Sequence, residues 1–162
     1  MSGGAEQPEV VIGIDRESIG FSAAHFSVLE TGAEPLHGHN YRVALHARGR
    51  LRDNGMLVDF GVLKAALREE CRRLDHSMLV PTASPEVTVV EHPDGQVELR
   101  EGARRFLLPG SDCRLLPVPN TTCECLAGLL LDRLRRRLSG APVRLEVTVE
   151  ESPGQGATAA ER

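Results

Sequence analysis

The sequence predicts an α+β fold in which an antiparallel sheet carries helices on one side. Apolar residues alternate with a period of two near both ends of the chain, whereas two central segments repeat theirs every three to four positions. The resulting order is strands, helix, small strands, helix, strand. The 162 residues, of which 41% are hydrophobic, suffice for one domain with its own core.

Three strands are predicted before the first helix. Val10–Ile14 is β-branched and apolar, and after the break at Gly20 the segment Phe21–Ser27 is expected to continue the same ribbon through a bulge. A longer strand should run from His37 to Arg50, because alternate residues share one apolar or aromatic face. Those residues are His37, His39, Tyr41, Val43 and Leu45. The Asn54-Gly55 dipeptide then predicts a turn.

Both helices are predicted from an apolar stripe that follows a capping residue. Asp59 is placed to cap the first helix, whose stripe consists of Leu63, Ala66, Leu67, Cys71 and Leu74. The second helix should run from about Thr122 to Leu138, and Thr121-x-x-Glu124 matches a capping box. Its stripe consists of Leu126, Leu129, Leu130, Leu134 and Leu138.

The remaining segments complete a single predicted domain over residues 10–151. Residues 86–109 alternate around Gly95 and Gly102, which indicates a small-strand insertion. The last strand has one apolar face, formed by Val143, Leu145, Val147 and Val149. The ends, 1–9 and 152–162, are small, polar and without periodicity, so we expect flexible tails.

Composition narrows the class of partner. The chain has 23 Asp and Glu against 19 Lys and Arg, which argues against nucleic acid or an anionic membrane as partner, because both are bound mainly through basic residues. No apolar run approaches the length of a membrane helix, and the amino-terminal stretch has no features of a secretion signal. We therefore expect a cytoplasmic protein with free thiols whose partner is a small molecule or another subunit.

Three histidines point to a metal site. His37 and His39 share a strand face, and His25 would face them if its strand pairs antiparallel with theirs. Three converging imidazoles are typical of catalytic zinc sites that keep one position open. The alternative is that His-x-His is surface decoration. A cupin-like site would need a carboxylate a few residues downstream, and residues 41–44 offer none.

Two carboxylate-containing positions also suggest chemistry. Asp75 directly precedes His76, and an adjacent carboxylate raises the basicity of a histidine and fixes its tautomer, as a general base requires. Glu151 continues the apolar parity of the last strand, so its carboxylate needs a partner with paired N–H donors, such as a pterin or guanine ring. The alternatives are a histidine that complements the helix dipole and a strand that ends at Val149.

Taken together, six motifs resemble the 6-pyruvoyltetrahydropterin synthase family, which includes the bacterial 6-carboxytetrahydropterin synthases. They are Phe21-Ser-Ala-Ala-His25, Leu36-His-Gly-His-Asn-Tyr41, Val58-Asp-Phe60, Leu74-Asp-His76, Asn120-Thr-Thr-Cys-Glu124 and Val149-Glu-Glu151. The resemblance implies a tunnelling fold, with a four-stranded antiparallel sheet and two helices in each subunit. It also implies a pterin substrate and a homo-oligomer, a trimer or hexamer, with sites at subunit interfaces.

The resemblance assigns roles residue by residue. It makes His25, His37 and His39 the ligands of Zn²⁺ and puts Asp75 and His76 in a catalytic relay. Glu151 would anchor the pterin ring, and the ring pocket would be lined by Thr121, Thr122 and Glu124. The segment 81–119 is longer than in short family members, and its role stays open.

One departure changes the predicted reaction. The family's catalytic cysteine precedes the His-Gly-His motif, yet residues 26–36 contain no cysteine. Glu34 occupies that neighbourhood, with Glu30 as the second candidate. The chain resembles a cysteine-less branch that cleaves the side chain of 7,8-dihydroneopterin, or its triphosphate, to 6-hydroxymethyl-dihydropterin. The alternatives are 6-pyruvoyl- or 6-carboxytetrahydropterin synthesis and a non-catalytic zinc-stabilised module.

Overall fold

The computed structural model describes residues 8–15 and 19–162. Helix α1 spans Phe60–Arg72 and helix α2 spans Cys123–Arg137. The first five strands are β1 (Val10–Ile14), β2 (Gly20–His25), β3 (Val28–Leu29), β4 (Gly32–Ala33) and β5 (His37–Gly49). The later strands are β6 (Ser77–Pro81), β7 (Thr88–Glu91), β8 (Gln96–Glu101), β9 (Arg104–Pro109), β10 (Cys113–Leu116), β11 (Arg144–Ser152) and β12 (Gln155–Ala160).

The main sheet has seven strands, with β5 at its centre. Strands β2 and β1 pair antiparallel with successive halves of one edge of β5, as a continuing ribbon requires, and β11 pairs antiparallel with the other edge. The link at 16–18, where the predicted bulge would fall, lies outside the described residues. The order along the sheet is β10-β6-β2-β5-β11-β12.

Both helices cover one face of this sheet. The apolar parity of β5, predicted from the sequence, supplies Tyr41, Val43 and Leu45 to the same core that receives the buried stripes of α1 and α2. The predicted cap is present at Asp59, whose Oδ1 accepts a hydrogen bond from the backbone N–H of Gly61. The turn at Asn54-Gly55 also forms, with Gly55 at φ +77°, but it leads into α1 rather than joining two paired strands.

The insertion between the helices forms its own sheet. Strands β7, β8 and β9 pair antiparallel in that order, in agreement with the small strands predicted over 86–109. One face of this sheet joins a second apolar core together with Phe26, Met78 and Val80. The insertion is thus packed against the end of β2 and against β6.

Two expectations about the sheet are wrong. The sheet is mixed rather than four-stranded and antiparallel, because β6 runs parallel to both β2 and β10. Strand β6 is buried at every position, so it lacks the alternation that marks a half-exposed strand. The carboxyl-terminal stretch 152–162 is likewise not a free tail, because β12 pairs with β11 over residues 155–160.

Strand pairing and a hydrogen bond hold the carboxyl-terminal end of the chain in place. Strand β12 consists mainly of small residues, which carry little strand signal in a sequence. Beyond it, the Glu161 carboxylate accepts a hydrogen bond from the backbone N–H of Leu145 at 2.7 Å. At the other end, residues 1–7 of the predicted tail 1–9 lie outside the described residues, and residues 8 and 9 are exposed. No helix in the described ranges is long and apolar enough to cross a bilayer.

Candidate active site

The register between β2 and β5 brings the three predicted histidines together. His25 lies directly opposite His37, and His39 follows two positions along the same face of β5. One ring nitrogen from each histidine lies within 4.8 Å of the other two. This confirms the convergence that the parity of the sequence predicts.

The nitrogens of this triad are prepared for a metal. His25 Nδ1 lies 3.0 Å from the Thr121 carbonyl oxygen and donates its proton there, which leaves Nε2 with a free lone pair. That Nε2 is buried and has no hydrogen-bond partner among the described residues. Burial, followed by repulsion from His37, lowers the pKa of His25, so the ring stays neutral. His37 Nδ1 likewise donates to the Pro35 carbonyl at 2.7 Å. The triad therefore fits a metal ion, and in His25 and His37 the other ring nitrogen is held by a backbone carbonyl.

A pocket of about 430 Å³ opens beside the triad, within the size range of small-molecule sites. Its wall combines His37 and His39 with carboxylates from three separate parts of the chain. These carboxylates belong to Glu34, Glu124 and Glu151. Glu30, the second candidate for the missing cysteine, is exposed at the tip between β3 and β4 and is not part of this wall.

Glu34 is held at the pocket by the hairpin that carries it. Its backbone N–H donates to the Ser27 carbonyl at 2.9 Å, and its carboxylate accepts from the backbone N–H of Ser27 at 3.3 Å. These two contacts fasten the residue after β4 to the residue before β3. The carboxylate is therefore oriented although it belongs to a surface hairpin.

Glu151 faces the apolar side of β11, as its parity predicts. Its carboxylate accepts a weak hydrogen bond from the Cys123 thiol at 3.6 Å and lies 4.0 Å from His39 Nε2. Burial, with the negative charge of Glu151 as the next cause, raises the pKa of Cys123 to about 12. This pocket thiol is thus a neutral donor rather than a thiolate base.

The predicted pocket residues at the start of α2 have two different roles: Thr121 supports the site, whereas Thr122 and Glu124 line the pocket. Thr121 is fully buried and does not line the pocket. Its backbone carbonyl accepts from His25 Nδ1, and its Oγ1 donates to the Phe26 carbonyl at 3.0 Å. It is not the helix cap: Thr122 caps α2 by accepting from the backbone N–H of Cys125. The cap therefore lies one position after Thr121, and the predicted capping box does not form, because the residue three positions after Thr122 is Cys125.

Asp75 and His76 form the predicted pair but do not reach this pocket. The Asp75 carboxylate accepts from the backbone N–H of Ser22 at 2.7 Å and contacts His76 Nδ1 at 2.9 Å. The backbone contact is the main cause that lowers the pKa of Asp75. His76 is 84% exposed and lines a separate open groove with Gly38, His39 and Asn40 of β5, not the pocket that holds Glu34 and Glu151.

Two further residues belong to the site although sequence reasoning gave them no role of their own. Tyr41 continues the parity of His37 and His39, and its buried hydroxyl has no hydrogen-bond partner in the structure. Burial raises its pKa, so the hydroxyl stays protonated. Asn120 joins the hairpin to α2, because its side chain both accepts from the backbone N–H of Val28 and donates to the Val28 carbonyl. Parity was the available signal for Tyr41, whereas Asn120 carries none.

Comparison with known proteins agrees with this geometry. The family model described as 6-pyruvoyl tetrahydropterin synthase matches residues 14–162. A relative from Methanocaldococcus jannaschii, which carries the provisional name 6-carboxy-5,6,7,8-tetrahydropterin synthase, is 31% identical over 85% of this chain and 86% of its own. The chain belongs to the 6-pyruvoyl tetrahydropterin synthase family. The resemblance seen in the sequence is thereby confirmed, and the chain is a lyase of this pterin-synthase type.

Solved members of the family share the fold closely. The 6-pyruvoyl tetrahydropterin synthase of Plasmodium vivax superposes with a TM-score of 0.90 at 29% identity, covering 96% of this chain and 99% of that one. Two further structures of the P. vivax enzyme carry cysteine or alanine in place of a glutamate that is described as a catalytic residue. The family fold, with two helices on a curled mixed sheet, is the tunnelling fold that the resemblance implied.

The contact between Cys123 and Glu151 leads to a prediction about thiol reactivity. With a pKa of about 12, the reactive thiolate of Cys123 is roughly one part in 10⁴ at pH 8. Alkylation by iodoacetamide, mapped by mass spectrometry, should be slow at pH 8 and about tenfold faster at pH 9, because the thiolate fraction rises tenfold per pH unit below the pKa. Glu151→Gln removes a negative charge that raises the pKa, so alkylation of Cys123 should become faster. Glu146→Gln, on the same strand but beside His46, is the matched control and should change nothing. Fast alkylation in the unmodified protein would contradict the contact.

Proposed function

We propose that this chain is a zinc-dependent enzyme that cleaves the side chain of 7,8-dihydroneopterin, or of its triphosphate, to 6-hydroxymethyl-dihydropterin. One observation carries the proposal: the Glu34 carboxylate stands in the pocket of the histidine triad, where the thiolate of a pyruvoyl-forming synthase would be expected. The naming of a glutamate as a catalytic residue in the P. vivax relative supports this role for a carboxylate.

Zinc is the proposed metal because three neutral imidazoles with one open position are its usual catalytic ligand set. His25, His37 and His39 would hold the ion through their free ring nitrogens. A zinc ion bound there would act as a Lewis acid that lowers the pKa of the side-chain hydroxyls of the substrate. The lowered pKa of His25 supports this proposal, since only the neutral ring can donate a lone pair.

The pterin ring is proposed to bind against Glu151. A half-buried carboxylate whose neighbours are a thiol and an imidazole offers two acceptor oxygens to a ligand edge with paired N–H donors. The amide and amino groups of a pterin ring form such an edge. Thr122 and Glu124 would line the same end of the pocket.

The proposed cleavage is a retro-aldol step between C1′ and C2′. A base takes the proton of the C2′ hydroxyl, the C1′–C2′ bond breaks, and C2′ and C3′ leave as an aldehyde fragment. The electron pair passes into the ring system, and Glu34, as a carboxylic acid, returns a proton to C1′. His76, fixed by Asp75, is the proposed base. The atoms balance without an oxidant or a reductant.

Pyruvoyl formation is less well supported because it uses a thiolate base. Residues 26–36 contain no cysteine, and the thiol that does line the pocket, Cys123, has a pKa of about 12. The Glu34 carboxylate then takes the place of the thiolate. This favours cleavage, in which the group only has to return a proton to C1′.

A second candidate is 6-carboxytetrahydropterin synthesis. The observation that favours it is the provisional name of the M. jannaschii relative, which covers most of this chain. A third candidate, of another class, is a non-catalytic module that uses zinc for stability. The large apolar core under the two helices argues against that candidate, because it gives the domain a source of stability besides a metal.

A homo-oligomer, a trimer or hexamer, is proposed because the site lacks its base within one chain. His76 is largely exposed and does not line the pocket that holds Glu34 and Glu151, so the base would come from a second copy. Strands β1 and β12 support such an assembly. Each pairs with one strand in the described ranges, and neither contains a charged residue, which is unusual for an edge that stays in solvent.

The metal proposal predicts about one zinc per chain in the purified protein. The double variant His37→Ala/His39→Ala should lose it, because one imidazole cannot hold the ion alone. His46→Ala, on the same strand with the opposite parity, should keep it. Full zinc occupancy in the double variant would contradict the proposal, and unfolding on chelation, followed by circular dichroism, would favour the structural module instead.

The reaction is tested by incubating the protein with dihydroneopterin or its triphosphate and identifying products by mass analysis. We expect 6-hydroxymethyl-dihydropterin, and Glu34→Ala should lower its rate of formation by about 10² or more with zinc retained. Glu151→Gln should instead raise KM about tenfold or more, because it removes a charge-assisted contact to the ring. A 6-pyruvoyl or 6-carboxy product, or full activity in Glu34→Ala, would refute the glutamate mechanism.

Sharing of the site between copies predicts complementation. Glu34→Ala and His76→Ala should each be inactive, but co-expressed in one oligomer they should recover roughly a quarter of the activity, since that fraction of shared sites receives both intact residues. The activity of the purified mixed oligomer measures this. Mixed oligomers as inactive as the single variants would show that both residues act within one chain.

A further inference from the structure

Glu34 lies at the end of a short hairpin that needs support from another part of the chain. It follows the hairpin β3–β4, whose strands have only two residues each. A two-stranded ribbon of this size is not stable by itself in water, and Gly32 at φ +117° gives the tip no rigidity. The backbone contacts with Ser27 fix the shape of the hairpin. Asn120 ties β3 to the segment before α2, but the residue after β4, Glu34, needs a contact of its own with another part of the chain.

The insertion provides this support through the second apolar core. Val28 and Ala33, from the two strands of the hairpin, pack into the cluster that contains Phe26 and the insertion residues Val97 and Leu99. Residues of β9 with the parity of Phe106 and Leu108 face the same cluster. The hairpin therefore rests on the β7–β9 sheet rather than on the main core.

Arg104 makes the direct connection. It has the parity of Phe106, and its Nη1 donates a hydrogen bond to the backbone carbonyl of Glu34 at 2.8 Å. Its guanidinium carbon lies 5.2 Å from the centroid of the Phe26 ring and 5.0 Å from that of Phe106, distances at which a cation is attracted to a ring. The carboxylate of Glu101 lies 3.5 Å from the same guanidinium. The side chain is thus held on several sides while it holds Glu34.

We propose that Arg104 is a positioning residue for Glu34, and that the β7–β9 insertion serves as a strut that sets the distance between this carboxylate and the histidine triad. The inference rests on the proposed function and gives a role to the segment 81–119. A displacement of about 1 Å in a reacting group can lower a rate by about 10². A hairpin that must deliver a proton to one carbon atom therefore needs a rigid support, and the Arg104 guanidinium, in contact with the stacked rings of Phe26 and Phe106, provides it.

The test replaces Arg104 with methionine, which keeps an unbranched apolar stem near both rings and removes the donor. We expect kcat for formation of 6-hydroxymethyl-dihydropterin to fall about tenfold to a hundredfold. KM and zinc content should stay near their original values, because Glu151 and the triad are untouched. Hydrogen exchange measured on peptides spanning 26–36 should become faster. Arg104→Lys, whose ammonium can still donate to the Glu34 carbonyl, should recover part of kcat and of the exchange protection.

Arg105→Met is the matched control. Arg105 is the next residue on the same strand, and it binds Glu98 on the opposite face of the insertion sheet. Its loss should leave kcat and exchange over 26–36 unchanged, and thermal unfolding of both variants separates loss of stability from loss of position.

The outcomes separate this proposal from the proposed function. Unchanged exchange over 26–36 in Arg104→Met overturns the positioning role, whatever the activity. Faster exchange with an unchanged kcat also overturns it, because the placement of Glu34 would then not limit the reaction. Full activity in Glu34→Ala is a different result and refutes the proposed function itself. The proposal is supported if Arg104→Met lowers kcat and accelerates exchange over 26–36 while Arg105→Met does neither.

Discussion

The antiparallel register between β2 and β5 is the constraint on which the site depends. It places His25 opposite His37, and a slip of one residue would turn every side chain of β2 to the other face. Gly20 helps to set it, because a Cβ added there would lie 2.0 Å from the Tyr41 carbonyl oxygen. Only glycine allows β2 to begin in this position. Strand pairing alone therefore brings the three metal ligands together, without a contribution from a loop.

Around this fixed centre, the two apolar cores place the carboxylates independently. The main core, under both helices, fixes β11 and the start of α2, and with them Glu151 and Glu124. The second core fixes the hairpin that carries Glu34. Asn120 connects the two parts through its paired contacts with Val28. The pocket lies where the two cores meet, so its shape follows from the packing of both.

Burial also sets the charge state of three groups in and next to the pocket. His25 is kept neutral and the Cys123 thiol is kept protonated, in each case chiefly because the charged form would lose solvation. The buried hydroxyl of Tyr41 is held in its neutral form for the same reason. Neutral donors and acceptors beneath a wall of carboxylates suit the binding of an uncharged ring with polar edges.

Much of this arrangement is determined by the sequence alone. Parity along one strand brings His37, His39 and Tyr41 to one face, and the apolar stripes with Asp59 define both helices, because these features depend only on local periodicity and capping. The absence of a cysteine from 26–36 is also visible without a structure. These local signals are enough to identify the family and the histidine triad.

The tertiary structure decided what periodicity cannot carry. Strand β6 is buried throughout and β12 is built from small residues, so neither shows alternation, and pairing alone makes them strands. Thr121 and Thr122 are adjacent and identical residues, so the sequence does not show which one caps α2. The backbone angles make Thr122 the cap, and Thr121 supports His25 instead. The contact of Arg104 with Glu34 joins residues 70 positions apart. Contacts between distant segments are set by how whole sheets pack, and no local pattern in the chain encodes them.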